Sequence, residues 1–148
     1  MLFYLKRNRK AAYIILKEHA EHFYREDRCN CAEAVLLAAN AEYDLGLTDD
    51  QCKLVGGFGG GVGCGITCGA LLGAVAALGA KKMGRRAQET YGFNKECGDL
   101  AREFQAKLGD TNCSVLRKLH ADQTNRCLKT VLAACDVLES HMAAAEQE

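Results

Sequence analysis

Between Leu54 and Ala80 the chain carries no charged residue, and ten of those 27 positions are glycine. Such a stretch cannot lie on an ordinary solvated surface as regular structure, so it must be a backbone-rich loop, a buried element, or both in succession. Its first half, Gly56 to Gly65, is a loop by composition, because glycine gives up more conformational entropy on folding than any other residue. Its second half, Cys68 to Ala80, reads as a buried helix carrying Leu71, Leu72, Val75 and Leu78. Gly69, Gly73 and Ala77 recur every four residues along one side, leaving a ridge that a neighbouring backbone can approach closely. A membrane span is the weaker reading, since the apolar helical part covers about 13 residues where about 20 are needed to cross a bilayer.

The rest of the chain points to helix. There is no proline among the 148 residues, so nothing breaks a helix by that route. Ala, Leu, Glu, Lys and Arg dominate both ends, and no period-two strand pattern emerges. One amphipathic helix is expected over about 9–26, with Ala12, Leu16, His19 and Phe23 on one face. A second should start after Asn30 and end near Gly46. Thr48 suits the N-cap of a short third helix through Val55. Further helices are expected over Asn94–Leu108, Cys113–His120 and Thr124–His141, with Gly109–Asn112 as a turn. The expected fold is all-α: a single-domain bundle of five to seven helices, with a glycine-rich loop leading into a buried central helix.

Charge excludes some partners. Nineteen basic residues balance nineteen acidic ones, and no Lys/Arg run forms a nucleic-acid footprint. Lys6, Arg7, Arg9 and Lys10 fit a solvated helix start or an anionic partner, of which the solvated start is the commoner case. Met1 to Leu5 is too short for the apolar core of an export signal, so the expected compartment is the reducing cytoplasm.

In that compartment nine cysteines require a reason, because structural disulfides rarely persist there and an odd count cannot pair completely. Three share one local pattern: Asn30 precedes Cys31, Thr67 precedes Cys68 and Asn112 precedes Cys113, each followed by a helix-forming run. These thiols should sit in first helical turns, where free N–H groups and the helix dipole favour thiolate over thiol. Cys127 is expected inside the last helix, on a face with Val131, Ala134 and Leu138. Cys64 lies in the glycine loop four residues before Cys68 and could reach it as a disulfide partner or co-ligand. Cys97 and Cys135 are expected to pack as small hydrophobes, and Cys29 and Cys52 to be peripheral.

Several familiar sites find no support. No C-x2-C occurs, which removes zinc ribbons and thioredoxin-like motifs, and no C-x-x-C-H occurs for covalent haem. No G-x-G-x-x-G register fits the glycine loop, and Gly79–Gly84 has phosphate-loop spacing but continues Arg85-Arg86. His19 and His22 with Glu18 and Glu26 are better read as a half-buried helix face than as metal ligands. His120 shares a face with Cys113 but stands two turns, about 10 Å, away.

The stretches Asn30-Cys-Ala-Glu-Ala-Val35, Gly57-Phe-Gly-Gly-Gly61, Thr67-Cys-Gly-Ala-Leu-Leu-Gly73, Phe104, Lys107-Leu-Gly109, Asn112-Cys113 and Cys127 resemble the redox-active protein family named for its C_GCAxxG_C_C cysteine pattern. The resemblance covers about 28–138 and leaves the N-terminal helix, about 1–27, outside it but within the same domain. It implies that the family's four cysteines fall on Cys31, Cys68, Cys113 and Cys127. Similar domains occur with haem in split-Soret cytochromes, whose attachment signature this chain lacks.

Two functional classes follow. In the first, the protein is a cysteine-based redox protein, an oxidoreductase being open, in which Cys31, Cys68, Cys113 and Cys127 converge and Cys64 assists. It would work by thiol–disulfide exchange with Cys68 as nucleophile, or by ligation of a metal or iron–sulfur cluster through the four thiolates, and would serve a redox partner protein. In the second, a non-enzymatic helical module binds a partner, a membrane or a second copy through the Gly69/Gly73/Ala77 ridge, and the cysteines merely pack.

Overall fold

A computed structural model describes residues 15–146, and among them the chain is all-helical, with seven α-helices and no strand. The expected start of the first helix, with Ala12 and the basic residues Lys6 to Lys10, lies outside the described residues. Helix α1, Ile15–Arg25, buries Leu16, His19, Ala20, Phe23 and Tyr24. Helix α2, Cys31–Tyr43, begins in a capping box: Asn30 Oδ1 accepts from the Ala32 and Glu33 N–H groups, and Glu33 Oε2 accepts from Asn30 N–H. It ends three residues before Gly46, because Asp44 turns left-handed and the Asn40 side chain exchanges two hydrogen bonds with the Leu47 backbone. That closure satisfies groups the helix would otherwise leave open.

Helix α3, Asp49–Cys52, opens with the Thr48/Gln51 capping box and continues as a 3-10 helix over Lys53–Phe58. The glycine stretch is thus more ordered than its composition suggests. Its second part is a tight coil over Gly61–Gly65, closed by an Ile66 N–H bond to the Gly61 carbonyl at 3.1 Å. Gly60, Gly61, Gly63, Gly65 and also Val62 have positive φ there, which only glycine adopts at little cost.

Helix α4, Gly69–Lys82, is the buried central helix: Gly69, Ala70, Leu71, Gly73, Ala74, Ala77 and Leu78 are all buried. It packs on α2, on α5 (Phe93–Leu108) and on the last helix, α7 (Leu128–Glu146). Between the last two lies the short α6, Cys113–His120. Helix α7 starts four residues later than the sequence pattern predicts. The Asp122 carboxylate accepts from the Thr124 and Asn125 N–H groups, and Arg126 sits at φ +52°, a conformation no α-helix continues through. Helix α1 closes the bundle against α2 and α7.

The small-residue ridge is consumed inside the fold. A Cβ on Gly73 would stand 2.5 Å from the Ala32 carbonyl oxygen, and one on Gly69 would stand 2.6 Å from Cys31 Sγ and 2.7 Å from the Phe58 carbonyl oxygen. Helices α2 and α4 therefore approach backbone to backbone. On an exposed helix face Gly→Ala adds up to about 1 kcal/mol of stability. Gly73→Ala should do the reverse, lowering stability by about 1–3 kcal/mol. A urea titration checks this, with a lower midpoint and an unchanged slope expected.

Candidate functional site

The helix starts are held in register by backbone pairing between two segments distant in sequence. Cys68 N–H donates to the Thr111 carbonyl at 2.8 Å, and Cys113 N–H donates to the Ile66 carbonyl at 2.6 Å, forming an isolated antiparallel bridge at Thr67 and Asn112. This pairing draws residues 66–68 into an extended course. The helix consequently begins at Gly69, with Cys68 itself at the N-cap position, instead of beginning at Cys68 behind a Thr67 cap. Cys31 and Cys113 do occupy first helical positions behind Asn30 and Asn112, as their sequence context predicts. Cys127 departs from expectation: it lies just before α7, and its carbonyl accepts the N–H of Val131.

Four helix starts thus bring four cysteines to one place. Cys31, Cys68, Cys113 and Cys127 all line a single cavity of about 380 Å³, together with Tyr24, Gly60, Arg117 and Arg126. Cys68 is 4% exposed and Cys113 6%. Glycines make the approach possible. Cys31 Sγ lies where a Gly69 side chain would be, and Cys113 Cβ lies 2.6 Å from where a Gly61 Cβ would be. Asn30 ties the glycine segment to α2 through its Nδ2 bond to the Gly56 carbonyl, and its side chain fills the space that any Cβ on Gly59 would need.

The electrostatics correct one expectation. Helix starts do act on these thiols: the Leu71 and Ala70 N–H groups pull the Cys68 pKa down, as the Gly60 and Ala32 N–H groups do for Cys31. Burial outweighs them. It raises Cys68 to about 11 and also raises Cys31 and Cys113, and the neighbouring thiols add to the rise in each case. The Arg117 guanidinium offsets part of the shift at Cys113. At pH 7 a thiol with a pKa near 11 is ionised in only about one molecule in ten thousand, so Cys68 is not the ready nucleophile its helix-start position suggests.

The other candidates stand apart. Cys64 is exposed, does not line the cavity, and donates to the Gly61 carbonyl of its own coil at 3.6 Å. Cys135 is fully buried with its pKa pushed up to about 12, and Cys52 is a core residue where the sequence suggests a peripheral one. Cys97 is half-buried against the core, and Cys29 is raised to about 11 by burial and by Glu33 and Asp27. His19 faces Glu42 at 3.8 Å and His22 faces Asp27 at 3.7 Å, so they do not form one metal face. His120 bonds the Leu108 carbonyl and Lys129, away from Cys113. Among the described residues, no three His, Cys, Asp or Glu side chains are set to hold a single metal ion.

Several cavity residues carry little or no signal in the sequence, Arg117, Arg126 and Tyr24 among them. Arg117 follows Cys113 by four positions, a spacing that places it one helical turn away on the same face. Arg126 directly precedes Cys127. Tyr24 gives no local signal, since it reaches Cys127 across 103 residues.

The fold and the cavity define a small all-helical protein in which four cysteines at helix starts line one cavity. The chain belongs to the family described as "Putative redox-active protein (C_GCAxxG_C_C)", whose match spans residues 29–141. Neither curated proteins nor solved structures provide a match to the chain. No helix among the described residues is long and apolar enough to cross a membrane.

The raised thiol pKa values set a pH dependence. Unfolded thiols ionise near about 8.5, whereas Cys68 and Cys29 hold their protons to about 11 in the fold. Their contribution to stability is complete below the unfolded value and is lost as pH climbs toward the folded one. Reduced, metal-free protein should therefore show falling urea midpoints from about pH 8.5 upward. Iodoacetamide labelling near neutral pH, read by peptide mass spectrometry, should modify Cys64 first and Cys68 and Cys135 last.

Proposed function

We propose that this protein is an electron-transfer protein whose redox centre is held by Cys31, Cys68, Cys113 and Cys127, and that the group they hold is an iron–sulfur cluster. The observation that carries this reading is the convergence of four thiols, one from each of four helix starts, around a cavity of about 380 Å³. A single metal ion needs its thiolate sulfurs at about 2.3 Å, and no three donors are set for that. A cluster spreads its ligands wider and takes one cysteine at each of four corners. Such a group, when bound, supplies one-electron chemistry at a potential tuned by its surroundings.

The chain's own residues supply the rest. Thiols kept protonated by burial release those protons when a metal takes their place. The four thiolates then meet the positive ends of α2, α4, α6 and α7, with Arg117 and Arg126 in the wall to offset their charge. Leu116 and the buried faces of Cys68 and Cys113 limit water.

A second reading rests on Cys31, whose charge would act on both Cys68 and Cys113 and which Cys127 acts on in turn. In that reading Cys31 and one neighbour form a disulfide, losing two protons and passing two electrons to a partner protein's disulfide, which becomes a dithiol. The helical-module reading rested on the glycine ridge and on the uncharged glycine loop; α2 covers the ridge at Gly69 and Gly73, which leaves the loop as its support.

Protein made and purified without oxygen should contain iron and acid-labile sulfide and show visible absorbance that dithionite bleaches. Cys68→Ser and Cys113→Ser should each reduce the iron content severalfold, while Cys97→Ser leaves it intact. A colourless, iron-free protein that cycles reversibly between one disulfide and two thiols would establish the second reading. Absence of both behaviours would overturn the redox assignment of these four cysteines.

A further inference from the structure

Tyr24 belongs to α1, which lies before the residues the family match spans, yet it forms part of the cavity wall. Its placement is fixed from three directions. The Arg126 guanidinium stacks 4.3 Å above the centre of the phenol ring, and Arg126 Nη2 donates to the Tyr24 carbonyl at 3.0 Å. Arg126 is itself locked, since Asp122 and Arg126 exchange both backbone hydrogen bonds across the turn that precedes Cys127. The third tie is the Cys127 N–H, which donates to the Tyr24 hydroxyl oxygen at 3.1 Å.

That last bond has a chemical consequence. The phenol oxygen accepts from Cys127, so its own proton remains available for donation, and Tyr24 is 5% exposed on the wall of a cavity that it shares with four thiols, the Arg117 and Arg126 guanidinium groups, and the side chains of Asn30, Asp122 and Thr130. Both Cys127 and Cys31 are close enough for their charge to act on the phenol. The charges that act on Tyr24 come from two thiols and one guanidinium, while the Asp122 carboxylate, also in the cavity wall, accepts from the Thr124 and Asn125 N–H groups.

We propose that Tyr24 is a positioning residue of the cavity that holds Cys127 in place through its oxygen and donates its phenolic hydrogen bond to the cavity's sulfur whenever that sulfur carries negative charge. This rests on the reading that the four cysteines are the redox centre, and it holds for either chemistry there. No bond is made or broken. A hydrogen bond to sulfur favours the more negative, reduced state, so it raises the midpoint potential.

The test compares the wild-type protein with Tyr24→Phe and with difluorotyrosine placed at position 24 by site-specific incorporation. Phenylalanine keeps the ring under Arg126 but can neither donate nor accept. Difluorotyrosine, read at a pH where its phenol stays protonated, donates more strongly and accepts more weakly. Potentiometry should show the redox equilibrium constant of Tyr24→Phe shifted about fivefold toward the oxidised form, and that of the difluorotyrosine protein shifted the opposite way. A residue that served only to hold the Cys127 backbone would move both variants in the same direction, because both accept less well, and that result would overturn the proposal. So would an unchanged potential in both.

A second measurement decides the matter even in a protein with no reversible couple, which would sink the redox reading separately. In reduced, metal-free protein, the rate of Cys127 alkylation relative to Cys113 should fall severalfold in Tyr24→Phe and rise with difluorotyrosine. Equal ratios in all three proteins would show that the phenol makes no bond to the Cys127 sulfur.

Discussion

The fold depends on the contact between α2 and α4, where two backbones meet directly at Gly73. Gly73 lies on the Ala32 carbonyl, and Gly69, one turn earlier, leaves room for Cys31 Sγ and for the Phe58 carbonyl. Packing density in a protein interior leaves no slack for an added methyl group at such a place. One stripe of α4 therefore does two things at once. It sets the distance between the two most central helices, and it brings Cys31 beside Cys68, the residue next to Gly69.

The second pair of thiols is delivered by backbone hydrogen bonds. The pairing of residues 66–68 with 111–113 joins the start of α4 to the start of α6, and the locked turn over 122–126 aims Cys127 inward from the start of α7. All four helix dipoles consequently point their positive ends at one space. Their effect on the thiols is nevertheless smaller than that of burial, because an ionised thiol in a cavity of low polarity loses the solvation that a surface helix start would leave it. Burial thus holds the Cys31, Cys68 and Cys113 thiols above their ordinary ionisation range despite the helix starts they occupy.

Much of this was legible in the residues themselves. The absence of proline, the capping residues Asn30, Thr48 and Asn112, and the uncharged run after Leu54 determined that the chain is helical and that its central helix is buried. Each is a local matter: a side chain bonded to its own next turn, or a segment with nothing to offer water. The placement of Cys31 and Cys113 at first helical positions follows from the same local chemistry.

What tertiary structure alone decided is where local rules competed with distant ones. Thr67 has the chemistry of an N-cap, but its neighbours Cys68 and Ile66 pair with the Thr111 and Cys113 backbone, and Cys68 takes the cap position. Thr124 could have started α7, but Asp122 claims the Thr124 and Asn125 N–H groups and Arg126 turns left-handed, so Cys127 falls at the helix start instead of within it. The thiol pKa values rise because burial is a property of the assembled fold and not of the helix end. Tyr24 entered the cavity for the same reason: a hydrogen bond spanning 103 residues leaves no trace in the spacing of neighbours, and exists only once α1 has packed against α2 and α7.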